Sequence, residues 1–470
     1  MAFWNRRKAI DSLTDQPQGR RLNRTLGWPH LMALGIGATV GAGIYTLIGV
    51  GAGLAGPGVI LSFVIAGLVC ICAALAYAEM ATLMPAAGGA YTYSYAVLGE
   101  GLAWVVGWSL ILEYTLVCSA VAVGWSAHVA TFAVAAGFPE ALLSGPYAGG
   151  AVNLPAVLIT FVVAGLLIAG TRESARVNLV LVAVKLTALA AFIVIAGAAF
   201  NPAHFHPFLP NGFAGRTLGG AKVGVMAAAS IIFFAFYGFD TISTAAEETK
   251  DPGRNLTIGI VGSMAACVAL YIAVAAAAIG AAPAQALARS EAPLVAVLAG
   301  LRHPMAASLV AGAAVVALPT VILAFLYGQS RIFFVMARDG LLHERLARVS
   351  ARTGTPVLMT ALTAVGAAAV AGLLSLKEIA EVANAGTLCA FIAVCVCMIV
   401  LRLREPARPR VFRTPLWWLV GPAGVLGCVY LFVSLPGATI ARFFVWNAIG
   451  LVVYLVFARR SSLLAKPPRC

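Results

Sequence analysis

Gly35-Ile36-Gly37-Ala38-Thr39-Val40-Gly41-Ala42-Gly43-Ile44 lies inside an apolar run, residues 31–54, long enough to cross a bilayer. Each glycine in a helix interior costs about 1 kcal/mol against alanine. Four glycines between positions 35 and 43 therefore make a weak helix in the middle of a membrane segment. Backbone released there has no water to bond, so it must be satisfied by protein or line a wet cavity. A break also leaves a second half-helix whose first amides point at the gap, which suits an anion such as a carboxylate. Two readings stand at this point. One is a binding site at a broken helix; the other is close helix packing through small residues, as at Gly37/Gly41 and Gly49/Gly53.

The surrounding chain has 470 residues, 61% hydrophobic and 10% charged, which excludes an ordinary soluble domain. Twelve spans are expected, at 31–54, 58–84, 99–124, 152–170, 177–200, 223–246, 257–282, 306–335, 357–376, 380–401, 416–436 and 441–458. The fold class is thus an all-α membrane protein. Of the 31 Lys and Arg, only Arg216, Lys222, Arg289, Arg302, Lys377 and Arg442 fall in connections on the side away from the N-terminus. Lys185 lies within a span, and the rest flank spans on the N-terminal side. The bias places both termini in the cytoplasm. It also accounts for the net charge of +14 without a nucleic-acid partner. Arg6, Arg7 and Lys8 are not followed by the apolar stretch of a cleaved signal peptide. The nine cysteines form no CxxC or zinc pattern and read as small buried hydrophobes. His204-Phe205-His206 is too sparse for a metal site, and no metal or cofactor is expected.

The sixth span carries a second weak point, Phe233-Phe234-Ala235-Phe236-Tyr237-Gly238-Phe239-Asp240. Spans one and six are five apart, and an odd number of spans per repeat reverses its orientation. Two interrupted helices in corresponding places point to a transporter site at an inverted-repeat interface. The chain then divides into a tail at 1–30, a first repeat at 31–200, and a second repeat at 201–401 that begins with the polar outer loop 201–222. Two further spans at 402–458 and a tail at 459–470 complete it. The basic segment 335–356 is expected to include a short helix.

Ionisable side chains inside spans are costly enough to need a reason. Lys185, in Val184-Lys185-Leu186, reads either as a proton carrier or as a side chain snorkelling to the cytoplasmic face. Its ammonium can also occupy the place of a bound metal cation. Glu113, followed by Tyr114, sits mid-span and either faces the cavity or pairs with a polar neighbour. Asp240 either touches substrate or caps a half-helix. Glu79 and Glu100, near span ends, read as structural. Glu247, Glu248, Lys250, Asp251 and Arg254 read first as a solvated turn; the sharper alternative is a gate whose charges re-pair as the cavity opens.

These residues together resemble a family. The motifs are Gly35 to Tyr45; Tyr77-Ala78-Glu79-Met80 with Pro85-Ala86-Ala87-Gly88-Gly89-Ala90-Tyr91; Phe234 to Asp240 running on to Glu247-Glu248-Thr249-Lys250-Asp251-Pro252; and Gly328-Gln329-Ser330-Arg331 with Met336-Ala337-Arg338-Asp339-Gly340. They are similar to those of the amino acid-polyamine-organocation transporters, most of all the cationic amino acid transporter branch and its bacterial relatives. The resemblance covers residues 25–400 and implies the leucine-transporter-like fold, a five-plus-five inverted repeat plus two helices. It implies an L-amino acid between the two broken helices. Amides near Gly41, Ala42 and Gly43 would hold its carboxylate. Carbonyls near Phe234, Ala235 and Tyr237, before Gly238, would hold its ammonium. Thr39, Glu113 and Tyr271 would line or support the pocket, and Asp240 with Glu113 would serve a cationic side chain. Lys185 matches the lysine that stands, in proton-coupled members, where sodium-coupled relatives bind sodium. Protons, not sodium, are therefore expected to drive the cycle. Ala42 replaces the Thr or Ser of many branch members, and Tyr237 a smaller residue, so the substrate range is left open.

The expected function is import of L-amino acids by proton symport in a bacterial inner membrane, with exchange as the alternative. A transport-fold sensor would be expected to carry a long tail, and an enzyme would need a nucleophile, metal cluster or phosphate loop. Whether a small single-span accessory subunit or further copies join the chain is not read from these residues.

Overall fold

In the computed structural model the glycine-rich stretch interrupts the first helix. The structure describes residues 4, 6–12, 22–41, 43–135, 137–146, 149–214, 216–218, 221–290, 292–350, 352–374, 376–435 and 437–465. Helix α1 (Trp28–Thr39) gives way to a π turn at Gly43–Leu47, and α2 (Ile48–Ala55) finishes the first segment. Then come α3 (Val59–Leu83), α4 (Ala90–Val97), α5 (Glu100–Ala135), α6 (Leu154–Ala169) and α7 (Thr171–Ala198). The sixth segment is again split, into α8 (Val225–Ile232), a 3-10 turn at Phe233–Phe236, and α9 (Thr241–Thr244). Helices α10 (Pro252–Thr257) and α11 (Ser263–Ala281) are joined by a π turn. The short α12 (Ala284–Ala288) and α13 (Pro293–Gly300) lead into α14 (Pro304–Arg338). The chain closes with α15 (Val357–Leu373), α16 (Leu376–Arg404), α17 (Trp417–Val433) and α18 (Gly437–Val453).

Among the described residues, eight helical stretches are long and apolar enough to cross a membrane. Shorter apolar helices stand at Leu154–Ala169, Val357–Leu373 and Trp417–Val433, where spans are also expected. Prolines open α1, α6, α10, α13 and α14, where a first-turn N–H has no helical partner to lose.

Small residues set the closest helix contacts. A Cβ on Gly424 of α17 would lie 2.8 Å from Cys395 Sγ of α16, and one on Gly427 2.7 Å from Val69 of α3. A Cβ on Gly450 of α18 would lie 2.6 Å from Trp108 Cγ, so only glycine admits that ring. Trp108 of α5 stacks on Trp446 of α18, with centroids 4.9 Å apart and planes at 21°. Each indole N–H donates to the other's backbone carbonyl at 2.9 Å. Trp104, one turn earlier, donates to Gly450 O at 2.7 Å.

Three expectations are corrected. The polar loop 201–222 is not wholly irregular: it leads into a hairpin of β1 (Arg216–Leu218) and β2 (Ala221–Val223), with Thr217 opposite Lys222. The segment 335–356 holds no separate α-helix. Instead α14 runs on through Arg338, and only a 3-10 turn, Glu344–Ala347, follows. The acidic turn after the sixth segment is not a solvated loop at its first two positions. Glu248 is fully buried, with Arg331 Nε 2.9 Å away and the Tyr327 hydroxyl donating at 2.8 Å. Arg338 grips Glu247 at 2.9 and 3.0 Å. Only Lys250, Asp251 and Arg254 are exposed. The acids are desolvated because the end of α14 brings two guanidinium groups to them. Neither partner could leave cheaply, since an orphaned buried charge costs about 3–5 kcal/mol. The chain entering α1 seals the same face, as the Thr25 and Leu26 amides donate to Glu248 O at 2.9 and 3.0 Å.

Candidate substrate site

Among the described residues, three carbonyls at the first break take side-chain partners. Val40 N–H still closes on Ile36 O at 2.8 Å, but Val40 itself turns extended, with ψ at 90°. Past that point the oxygens of Gly37, Thr39 and Val40 leave the helical ladder. Gly37 O and Val40 O accept from Lys185 Nζ of α7 at 2.9 and 2.7 Å. Thr39 O accepts from the Tyr271 hydroxyl of α11 at 2.7 Å. Ala42, expected at the carboxylate position, lies outside the described residues. Gly41 and Gly43 flank it. The packing reading holds at two of the glycines. Gly37 and Gly49 are packing glycines, where a Cβ would meet Asn178 at 2.9 Å and Leu287 O at 2.7 Å. Gly41 and Gly43 belong to the break.

At the second break the chain passes from the 3-10 turn to extended Tyr237, then to Gly238 at φ +113°, a conformation open to glycine. The two breaks touch backbone to backbone. A Cβ on Gly43 would run into Ala235 Cα, and one on Gly238 would lie 2.7 Å from the Ala38 carbonyl carbon. Tyr271 ties them: its oxygen is 2.7 Å from Thr39 O and 3.0 Å from Ala235 O, and its single proton serves one at a time.

Lys185 does not snorkel. It is fully buried, and its third acceptor is Thr320 Oγ1 of α14 at 2.8 Å. Three acceptors match the three N–H bonds of an ammonium. Thr320 is a participant that the sequence reading missed. Its signal is the neighbouring Pro319, inside α14. A proline lacks the N–H that would bond four residues back, and the freed Val315 O accepts from Trp125 Nε1 at 3.0 Å.

Two interrupted helices in backbone contact, with a buried ammonium on the first, form an arrangement that can hold a small zwitterion. Comparison of the whole chain with known proteins gives the family. A family profile described as amino acid permease matches residues 26–458. The chain belongs to the amino acid permease family. It is 41% identical over 469 residues to the branched-chain amino acid permease BcaP of Bacillus subtilis (strain 168), covering 98% of each chain. It is 38% identical to the methylthioribose transporter of the same organism, over 98% of this chain and 99% of that one. It is also 38% identical to the vacuolar cationic amino acid transporter 2 of Arabidopsis thaliana, over 85% of this chain and 63% of that protein.

The permease carries a second polar cluster, on α5, α9 and α16. Asp240 is not a helix cap, since its carboxylate makes no capping bond to α9. It accepts instead from the Tyr114 hydroxyl of α5 and from the Gly238 amide at 3.3 Å. The capping expectation fails because the chain turns helical only at Asp240 itself, which leaves the side chain facing α5. Tyr237 donates to Asn384 of α16, and Phe234 packs on it with centroids 5.1 Å apart. Glu113 is fully buried beside the Thr387 hydroxyl of α16, and among the described residues neither carboxyl oxygen closes a hydrogen bond of ordinary length. The backbone of α5 meets α16 there at Gly386, whose Cβ would lie 2.8 Å from Glu113 Cβ. Asn384 and Thr387 were not singled out in the sequence, because nothing local distinguishes them from other polar residues in apolar helices. His204 bonds Gly280 O at 2.9 Å, and no cluster of metal-ligating side chains occurs among the described residues.

Proposed function

We propose that this permease imports L-amino acids by proton symport, in the plasma membrane, with both termini in the cytoplasm. The substrate lies between the two breaks. Its carboxylate takes the amides around Gly41, Ala42 and Gly43, at the head of the second half-helix. Its ammonium takes carbonyls of the Phe234–Tyr237 turn. Ala235 O has one lone pair engaged by Tyr271 and one to offer.

The observation that carries the reading is the threefold coordination of Lys185 by Gly37 O, Val40 O and Thr320 Oγ1. A protonated lysine holds the first break to α14 with all three hydrogens. A neutral amine has two hydrogens and a lone pair. Its lone pair either faces one of the two carbonyls or takes the Thr320 O–H now offered to Ala317 O and Gly37 O, and either change loosens the joint. Proton loss and the geometry of the substrate turn are thereby one event. The buried pairs Glu248–Arg331 and Glu247–Arg338 close the cytoplasmic side until α9 and α14 part.

The test is uptake into sodium-free proteoliposomes, with and without an inward proton gradient, using labelled leucine and labelled lysine. Gradient-driven accumulation of either is the expected result. Uptake only into vesicles preloaded with amino acid would make the protein an exchanger and leave Lys185 a structural role.

A further inference from the structure

The buried face of α7 changes character at Lys185: it is wholly apolar towards the end of the helix, and towards the start it carries Asn178 and Ser174 beyond Val182. The buried positions of that face are Ser174, Asn178, Val182, Lys185, Leu189, Phe192 and Ala196. The rest of the helix is largely exposed, with Val180 at 62% and Val194 at 71%. From Lys185 towards the end of α7, Leu189, Phe192 and Ala196 form a dry seal. From Lys185 back towards its start, Asn178 and Ser174 are polar and each only 2% exposed.

Asn178 is the unusual member. Its Oδ1 is buried and accepts no hydrogen bond among the described residues. A buried carbonyl of that kind costs about 1–3 kcal/mol unless something bonds it. It faces Gly37, the residue whose carbonyl holds Lys185; a Cβ there would lie 2.9 Å from Oδ1 and 3.2 Å from Nδ2. The missing side chain at Gly37 lets the amide lie directly against the backbone of the first break. Two turns back along α1, His30 is half-buried with Nδ1 buried and unbonded, in the field of Arg176 of α7 and Lys250. Two polar atoms on this side of Lys185, Asn178 Oδ1 and His30 Nδ1, are thus buried with no bond among the described residues, the second at the face where α1 begins.

We infer that Asn178 orders water into a proton path joining Lys185 to the cytoplasm along the α1–α7 seam. The inference rests on the symport reading above. The step is a transfer to water: the Lys185 ammonium gives one proton to a water molecule, the N–H electron pair stays on Nζ, and a hydronium and a neutral amine result. Asn178 neither gains nor loses a proton. Its Oδ1 accepts an O–H of that water and favours the positive charge upon it, and the proton passes through further water to the cytoplasm. The apolar seal at Leu189, Phe192 and Ala196 keeps the same proton from leaving along this face in the other direction.

The experiment compares the parent with Asn178→Leu, of similar volume, and Asn178→Ser, which keeps a polar group. Proton entry is read with a pH dye inside substrate-free, sodium-free proteoliposomes as labelled amino acid enters. Exchange is read separately, with amino acid on both sides and no gradient. The expected result is a loss of about tenfold in proton entry and net uptake for Asn178→Leu, unchanged exchange, and recovery in Asn178→Ser. Proton entry at the parent rate in Asn178→Leu overturns the path and leaves symport standing. Equal loss of exchange and net uptake makes Asn178 a packing residue and also overturns it. A parent without proton entry overturns the symport reading and this path with it. Should Asn178→Leu fail to reach the membrane, Asn178→Val carries the same three outcomes.

Discussion

Lys185 and Glu113 are both fully buried in apolar helices, yet their surroundings are opposite. Lys185 has an acceptor for every hydrogen, two of them carbonyls that the first break had to dispose of. Glu113 has the Thr387 hydroxyl beside it and, among the described residues, no bond of ordinary length to either oxygen. A buried group that is fully bonded is part of the scaffold in the state observed, and its removal orphans its partners. A buried group with nothing bonded has no partner to orphan and is available to a proton or a ligand. The contrast separates a fully bonded joint from an unbonded carboxyl group, although the two residues would look alike in any list of intramembrane charges.

Three substitutions test that contrast. The largest effect is expected for Lys185→Ala, which leaves Val40 O without its lysine donor and Gly37 O with only the Thr320 hydroxyl at 3.0 Å. Gradient-driven accumulation should fall about a hundredfold or more, and detergent-solubilised protein should melt at a lower temperature. Equal gradient dependence in mutant and parent would remove Lys185 from the coupling. Glu113→Gln should behave otherwise. With no bond to lose, the protein should melt at or above the parent's temperature. Uptake of lysine and arginine should drop about tenfold more than uptake of alanine, the worth of one charge-assisted hydrogen bond. A lower melting temperature with equal loss for all substrates would make Glu113 a scaffold residue too and erase the contrast. The smallest effect is expected for Tyr271→Phe. It deletes one neutral hydrogen bond shared by Thr39 O and Ala235 O, worth about 1 kcal/mol. That is about fivefold in substrate affinity by equilibrium binding, and no change would show that the phenol does not brace the two breaks.

Much of this was legible in the sequence for local reasons. Glycine density located the first break, and a lone glycine in an aromatic run the second, because backbone cost depends on the residue itself. Hydropathy located the helices, and Lys185 and Glu113 stood out because charge is rare in apolar runs. What was not legible depends on distant pairing. Glu248 and Arg331 are 83 residues apart, so the turn at 247–254 read as solvated when Glu248 is fully buried and Glu247 is partly buried. Thr320 lies 135 residues from Lys185, and an apolar helix with one threonine carries no mark of the neighbour it will meet. Asp240 failed in a third way. Its spacing suited a cap, but Tyr114 of another helix offered a donor that the local chain could not reveal.

The indoles of Trp108 and Trp446, 4.9 Å apart and 21° from parallel, are close enough for their electronic transitions to mix. Such a dimer absorbs as one chromophore and gives a paired, opposite-signed circular dichroism band that vanishes when the rings separate. The molecule thus carries its own optical gauge of whether α18 stays docked on α5. A couplet that persists through turnover would assign these helices to the stationary frame, and one that fades on adding substrate would assign α18 to the moving part.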